Sequence, residues 1–120
     1  ISMAYVDGFM APIKPGRKDD YIEFNKLTAA LFLEHGALRV VEGWNDDVKP
    51  GKVNDMRTAV LAEENQDVVF SWIEWPDRAA RDAGWQKLMS DERMTMPDDN
   101  PMIGAHMIFG GFDVILDEKA

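Results

Sequence analysis

The chain contains no cysteine. That excludes disulfides, thiolate nucleophiles and cysteine metal sites together. Histidine is scarce too: His35 and His106 are the only two, with no His-x-His or Glu-x-x-His spacing from which to build a metal centre. No apolar run approaches the ~20 residues of a membrane-spanning helix, and the N-terminus lacks the basic and apolar regions of a secretory signal. Basic residues are outnumbered, 13 Lys and Arg against 22 Asp and Glu, giving a net charge of −9. They do not cluster beyond Arg17-Lys18. Such a surface repels phosphate backbones, which argues against a nucleic-acid partner. No glycine-rich nucleotide loop is present, because Gly110-Gly111 lies in a strand pattern without a following helix. The expectation is a cytoplasmic protein with no membrane or nucleic-acid partner, no metal and no cofactor.

What is present is one domain's worth of core. A length of 120 residues with 46% hydrophobic content fits a single ordinary globular domain. Ile1-Ser2 reads as a cloning remnant before Met3, so the domain is taken as residues 3–120.

The strongest local signal is Val68-Val69-Phe70-Ser71-Trp72-Ile73-Glu74-Trp75-Pro76, a β-branched and aromatic run ended by proline. Successive strand residues face opposite ways. Val68, Phe70 and Trp72 therefore share one face, and Val69, Ile73 and Trp75 the other. A sheet wetted on one side would alternate apolar and polar residues. This strand does not, so both faces need cover: helices on one, a second subunit on the other.

Ala4 to Ala11 reads as a strand closed by Pro12 and Pro15-Gly16. From Lys18 to His35 the spacing becomes helical, with Tyr21, Phe24, Leu27, Thr28, Leu31 and His35 on one stripe and Gly36 as the stop. Ala37 to Trp44 is a second strand, followed by a turn-rich loop from Asn45 to Asp55. Met56 to Ala62 fits either a short strand hairpinned to Val68 or a single helical turn, and the strand is preferred. Asp77 caps a helix to about Met89, whose Ala79, Ala80, Ala83 and Gly84 permit close packing. Ser90 to Ala105, broken by Pro97 and Pro101, reads as a long mobile segment bordering a pocket entrance. Met107 to Leu116 is the last strand, where Gly110-Gly111 marks a bulge or a close backbone approach. The order is β-α-β-β-α-β, the ferredoxin-like α+β arrangement: an antiparallel sheet with two helices on one face.

With the strands placed, several blocks resemble the YbaA-like family of short bacterial proteins. They are Tyr5-Val6-Asp7-Gly8-Phe9, Gly36-Ala37-Leu38-Arg39-Val40-Val41-Glu42 with Trp44 and Asp46-Asp47-Val48, Phe70-Ser71-Trp72, Arg81-Asp82, and Met107-Ile108-Phe109-Gly110-Gly111-Phe112. The resemblance runs from Tyr5 to about Asp113. It implies the dimeric α/β-barrel superfamily, in which two ferredoxin-like subunits pack sheet against sheet. Relatives there include cofactor-free monooxygenases, haem-handling and isomerising enzymes, and pure binding proteins, so the fold does not select a chemistry. His106 stands where that family is expected to carry a basic side chain.

Five residues are candidates for a ligand site. Arg39, between Leu38 and Val40, either pairs with Glu42 or Glu74 or offers its planar fork to an anion or carbonyl. Trp72 is either core or a stacking wall. His106 is a polar edge or faces a cavity mouth. Arg81 and Asp82 form a solvated pair that the family resemblance makes more interesting. The expected site is an aromatic-lined pocket between sheet and helices in a homodimer joined through the opposite sheet face. The chemistry, if any, would be cofactor-free oxygenation, isomerisation or removal of a small group. The alternative is a non-enzymatic dimeric binding or interaction protein.

Overall fold

A computed structural model describes residues 4–120, so the reading of Ile1-Ser2 as a remnant before Met3 lies outside the described residues. Four strands form one antiparallel sheet: β1 (Tyr5–Ile13), β2 (Arg39–Trp44), β3 (Asp67–Trp75) and β4 (Ile108–Asp113), in the spatial order β2-β3-β1-β4. Helix α1 (Lys18–Glu34) joins β1 to β2, and α3 (Arg78–Met89) follows β3. A one-turn helix α2 (Met56–Ala59) interrupts the β2–β3 connection. The β-α-β-β-α-β order holds.

The local chemistry explains the boundaries. Helix α1 ends in a Schellman turn: Gly36 adopts φ +113°, its N–H donates to Leu33, and the Ala37 N–H donates to the Phe32 carbonyl. The Asp77 carboxylate accepts from the Ala80 N–H and starts α3. Strand β1 runs through Pro12 rather than closing there. Its ladder with β4 ends at Met10, so beyond that pair a residue without an N–H breaks no β1–β4 bond. Gly110-Gly111 leave the β1–β4 register unbroken, which rules out a bulge. The close approach is real at Gly111, where a Cβ would stand 2.2 Å from the Tyr5 hydroxyl.

Met56 to Ala62 corrects the preference for a strand. β3 already pairs with β1 on one side and β2 on the other, so no edge is left for a hairpin partner. Instead Asp55 and Thr58 form a capping box that nucleates α2. Arg57 then ties the loop shut by donating to the carbonyls of Glu63 (2.6 Å) and Gln66 (2.9 Å).

The core lies on the helix side of the sheet. Tyr5, Leu31, Phe32, Ile73, Trp75 and Leu88 form one cluster, and Ala11, Ile13, Tyr21 and Val69 a second. On α1 the buried positions are Tyr21, Thr28, Leu31 and Phe32, while the expected Leu27 is half exposed. Phe32 takes its place because it packs edge-on against Trp75 and Trp85, at 6.2 and 5.0 Å between ring centres. Among the described residues no helix is long and apolar enough to cross a membrane.

Candidate functional site

The sheet face turned away from α1 and α3 carries a concavity of about 890 Å³, open to solvent. The strand register builds it in three cross-strand rows. Gly43, Phe70, Met10 and Ile108 form the first; Val41, Trp72, Gly8 and Gly110 the second; Arg39, Glu74, Val6 and Phe112 the third. In the middle row Trp72 stands beside two glycines, whose missing side chains leave a trough bordered by the Phe112 ring. Val114, Asp117 and Lys119 of the tail after β4 also border the hollow.

One corner of this surface is polar. The Trp72 indole N–H donates to Glu74 Oε2 at 2.9 Å, and a guanidinium nitrogen of Arg39 lies 3.7 Å from the same oxygen. Phe70 meets Trp72 nearly edge-on, with ring centres 5.9 Å apart. Of the five candidates, the fold thus brings Arg39 and Trp72 together and adds Glu74 between them. Arg39 does pair with Glu74, as one of its two readings held, but on the sheet surface rather than in a buried ion pair, since its side chain is 65% exposed.

Arg81 and Asp82 are placed elsewhere. Asp7, in the middle of β1, is almost fully buried on the helix side. Its carboxylate accepts from Trp75 Nε1 (3.0 Å), Trp85 Nε1 (2.9 Å) and Arg81 Nε and Nη2 (3.0 and 2.9 Å). The Arg81 guanidinium also lies over the Tyr5 ring, 5.2 Å from its centre. Asp82 stays at the surface, bonded to Arg81 and near Arg78. This knot ties α3 to β1 and β3, and of its residues only Trp75 borders the hollow. His106 ends a 3₁₀ turn (Gly104–His106) beside β1, its Nδ1 buried without a partner, and it does not line the hollow.

The expected pocket between sheet and helices is corrected by the packing. Phe32, Trp75, Trp85 and Leu88 fill that space, and the hollow lies on the other face. Ser90 to Ala105 does not border it either. Lys14 N–H donates to Pro101, Ile103 N–H donates to Pro12, and Lys14 and Arg17 both bind Asp99, fastening the segment to the far end of β1.

Two further polar groups sit on the helix side. The buried Tyr21 hydroxyl donates to Glu42 Oε1 at 2.5 Å, with Ser71 adding a hydrogen bond to the same pair. Burial raises the Tyr21 phenol above its usual value, and the Glu42 charge pushes it the same way. Burial likewise raises the Glu42 carboxyl, against the hydrogen bonds of Tyr21 and Ser71. A carboxyl raised in the folded state stabilises the fold fully below its unfolded pKa of about 4.3 and loses that contribution as pH rises through the folded value. Glu42→Gln keeps an acceptor for Tyr21 and removes the titration. Its melting temperature should therefore fall less than the parent's as the pH rises above that point. Parallel melting curves against pH would refute the assignment.

Glu34, His35 and Asp91 offer three donor atoms within 4.8 Å of one another. Arg93 already occupies the cation's place, bonding Glu34 and Asp91, the latter at 2.7 Å. Hydrogen bonds from Arg93, then from His35, hold the Asp91 carboxyl far below the usual range. The cluster joins the C-terminus of α1 to the segment after α3 as a closed ion network.

Sequence reasoning missed Gly8, Gly110 and Phe112 as site residues. Their signal was the cross-strand register, which no single segment contains. Asp7 did carry a local mark, a lone carboxylate in the centre of an apolar strand.

Comparison with known proteins agrees with this architecture. A family model described as a protein of unknown function, DUF1428, matches residues 4–104. The uncharacterised protein YbaA of Escherichia coli K12 is 53% identical over 117 residues, covering 97% of this chain and all of that protein. YbaA of Shigella flexneri matches to the same extent. Among solved structures, a Bacillus cereus protein described as a candidate antibiotic biosynthesis monooxygenase superposes with a TM-score of 0.58 at 13% identity, over 98% of this chain and 96% of that one. That likeness establishes a shared fold. By its sequence, the chain belongs to the DUF1428 family.

Proposed function

We propose that this protein is a homodimeric small-molecule-binding protein, two copies facing each other through the open sheet face with an apolar organic molecule held between them. The observation that carries this reading is the uncovered face itself. Phe70 is 46% exposed and Phe112 64%, with Ile108 and Met10 beside them. Contiguous apolar surface of this kind marks an interaction or ligand site rather than ordinary solvent-facing sheet. Its burial contributes on the order of 25 cal/mol per Å². The trough beside Trp72 gives two such faces a reason not to close completely. Lack of cysteine suits the cytoplasm, where we place the protein.

A binding role is favoured over chemistry because the groups whose ionisation burial disturbs, Glu42 and Tyr21, lie on the opposite side of the sheet from the hollow. The fold is compatible with the monooxygenase description of the Bacillus cereus protein, but a fold hosts many functions.

Size-exclusion chromatography with light scattering should give twice the 13.6 kDa mass of one chain. Phe112→Glu should weaken the dimer at least about thirtyfold, as loss of a central interface anchor does. Native mass spectrometry of the purified protein should reveal a retained organic molecule. A monomer at tens of micromolar would overturn the dimer. A dimer with no retained or added ligand would leave the second reading, a pure interaction module, which the same apolar face supports.

A further inference from the structure

The hollow is not shapeless, and its shape names a ligand class. Resting on the reading of the open face as a ligand site, we propose that it selects a flat aromatic ring bearing a carboxylate or carbonyl group. The ring lies over Gly8 and Gly110 against Trp72, and its polar group reaches Arg39.

Four observations support this. First, Trp72, Gly8 and Gly110 are consecutive partners across β3, β1 and β4, so the void is one continuous slot beside an indole. Second, the glycines are not demanded by the backbone. Neither has a positive φ, and a Cβ at Gly8 would find only the Phe112 ring, at 3.9 Å; at Gly110 the same ring lies at 3.6 Å. A methyl group would fit at either position in ordinary contact with that ring, so the glycines leave this room beside Trp72 open. Third, the platform is held. The Trp72 indole N–H is fixed to Glu74 and its ring is buttressed edge-on by Phe70. A fixed indole presents a flat π-surface that matches a flat partner better than a puckered one. Fourth, Arg39 sits one row away at the end of the slot. At 3.7 Å from Glu74 it is close enough to be oriented but too far for a direct hydrogen bond there, so its fork remains open for a planar anion or carbonyl.

The proposal is tested with three probes of similar size: naphthoate, neutral methylnaphthalene, and the saturated decahydronaphthoate. Binding is followed by heteronuclear NMR on the Trp72 indole N–H, assigned with Trp72→Phe. Naphthoate should bind tightest, and decahydronaphthoate at least about tenfold more weakly, since it cannot stack. Arg39→Met should weaken naphthoate about tenfold or more, the scale of a lost charge-assisted hydrogen bond, and leave methylnaphthalene unchanged. Gly8→Val should fill the slot and abolish both aromatic ligands at an unchanged melting temperature and dimer mass. Gly110→Ala serves as a milder companion should the valine perturb folding. Equal binding of the saturated acid, or undiminished naphthoate binding by both glycine variants, overturns the flat-ring assignment while leaving a ligand site on this face. Failure of all three probes to shift the Trp72 signal overturns the ligand reading along with it.

Discussion

Asp7→Ala is expected to lower the unfolding free energy by about 3–5 kcal/mol, the cost of removing one partner from a buried charge pair. The carboxylate is 3% exposed and is the common acceptor for two indole N–H groups and the Arg81 guanidinium. Its removal strands three donors, from β3 and α3, in the core at once. The loss on truncation exceeds what the bonds contribute net, because the remaining groups keep their desolvation penalty. Asp7→Asn should fall between the two: it retains one acceptor oxygen but turns an N–H₂ group toward donors. Urea denaturation measures both. A loss below about 1 kcal/mol for the alanine variant would mean that Arg81 and the tryptophans find water or other partners. Arg81 would then be released from its structural role.

Gly84→Val should be nearly as damaging, at or above the upper end of the roughly 1–3 kcal/mol that overpacking costs. Gly84 is buried where α3 crosses β3. A Cβ there would stand 2.4 Å from Cζ3 of Trp75 and 2.9 Å from the His35 carbonyl oxygen. Trp75 is fully buried and bonded to Asp7, and the carbonyl belongs to the cap of α1, so neither can yield cheaply. Gly84→Ala sharpens the test through its sign. Alanine in a helix interior is worth about 1 kcal/mol over glycine, so a stabilised variant would show that α3 can move off the sheet. A destabilised one shows that its distance from Trp75 is set by contact.

Much of the fold was legible from local pattern. Asp77, Gly36 and the small residues around Gly84 carried their roles openly, because caps, left-handed turns and close helix packing each demand particular residue types. The apolar residues on both faces of Val68 to Trp75 announced a sheet needing cover on both sides, and α1 and α3 cover only one. Reading went astray where neighbours decided. Leu27 and Phe32 fit the helical stripe almost equally well, and the ring contacts with Trp75 and Trp85 chose Phe32. Met56 to Ala62 had strand character, but β3 had no free edge to receive it.

The site follows the same division. By itself the amino-acid sequence determined the element order, the family and the two apolar faces of the sheet, because alternation and capping are properties of neighbouring residues. Only the tertiary structure decided that Arg81 serves Asp7 and that His106 lies apart from the hollow. It also decided that the hollow opens on the bare face, with Gly8 and Gly110 beside Trp72. The physical reason is register. Residues more than sixty positions apart become neighbours through strand pairing, and a one-residue slip would send each of them to the opposite face.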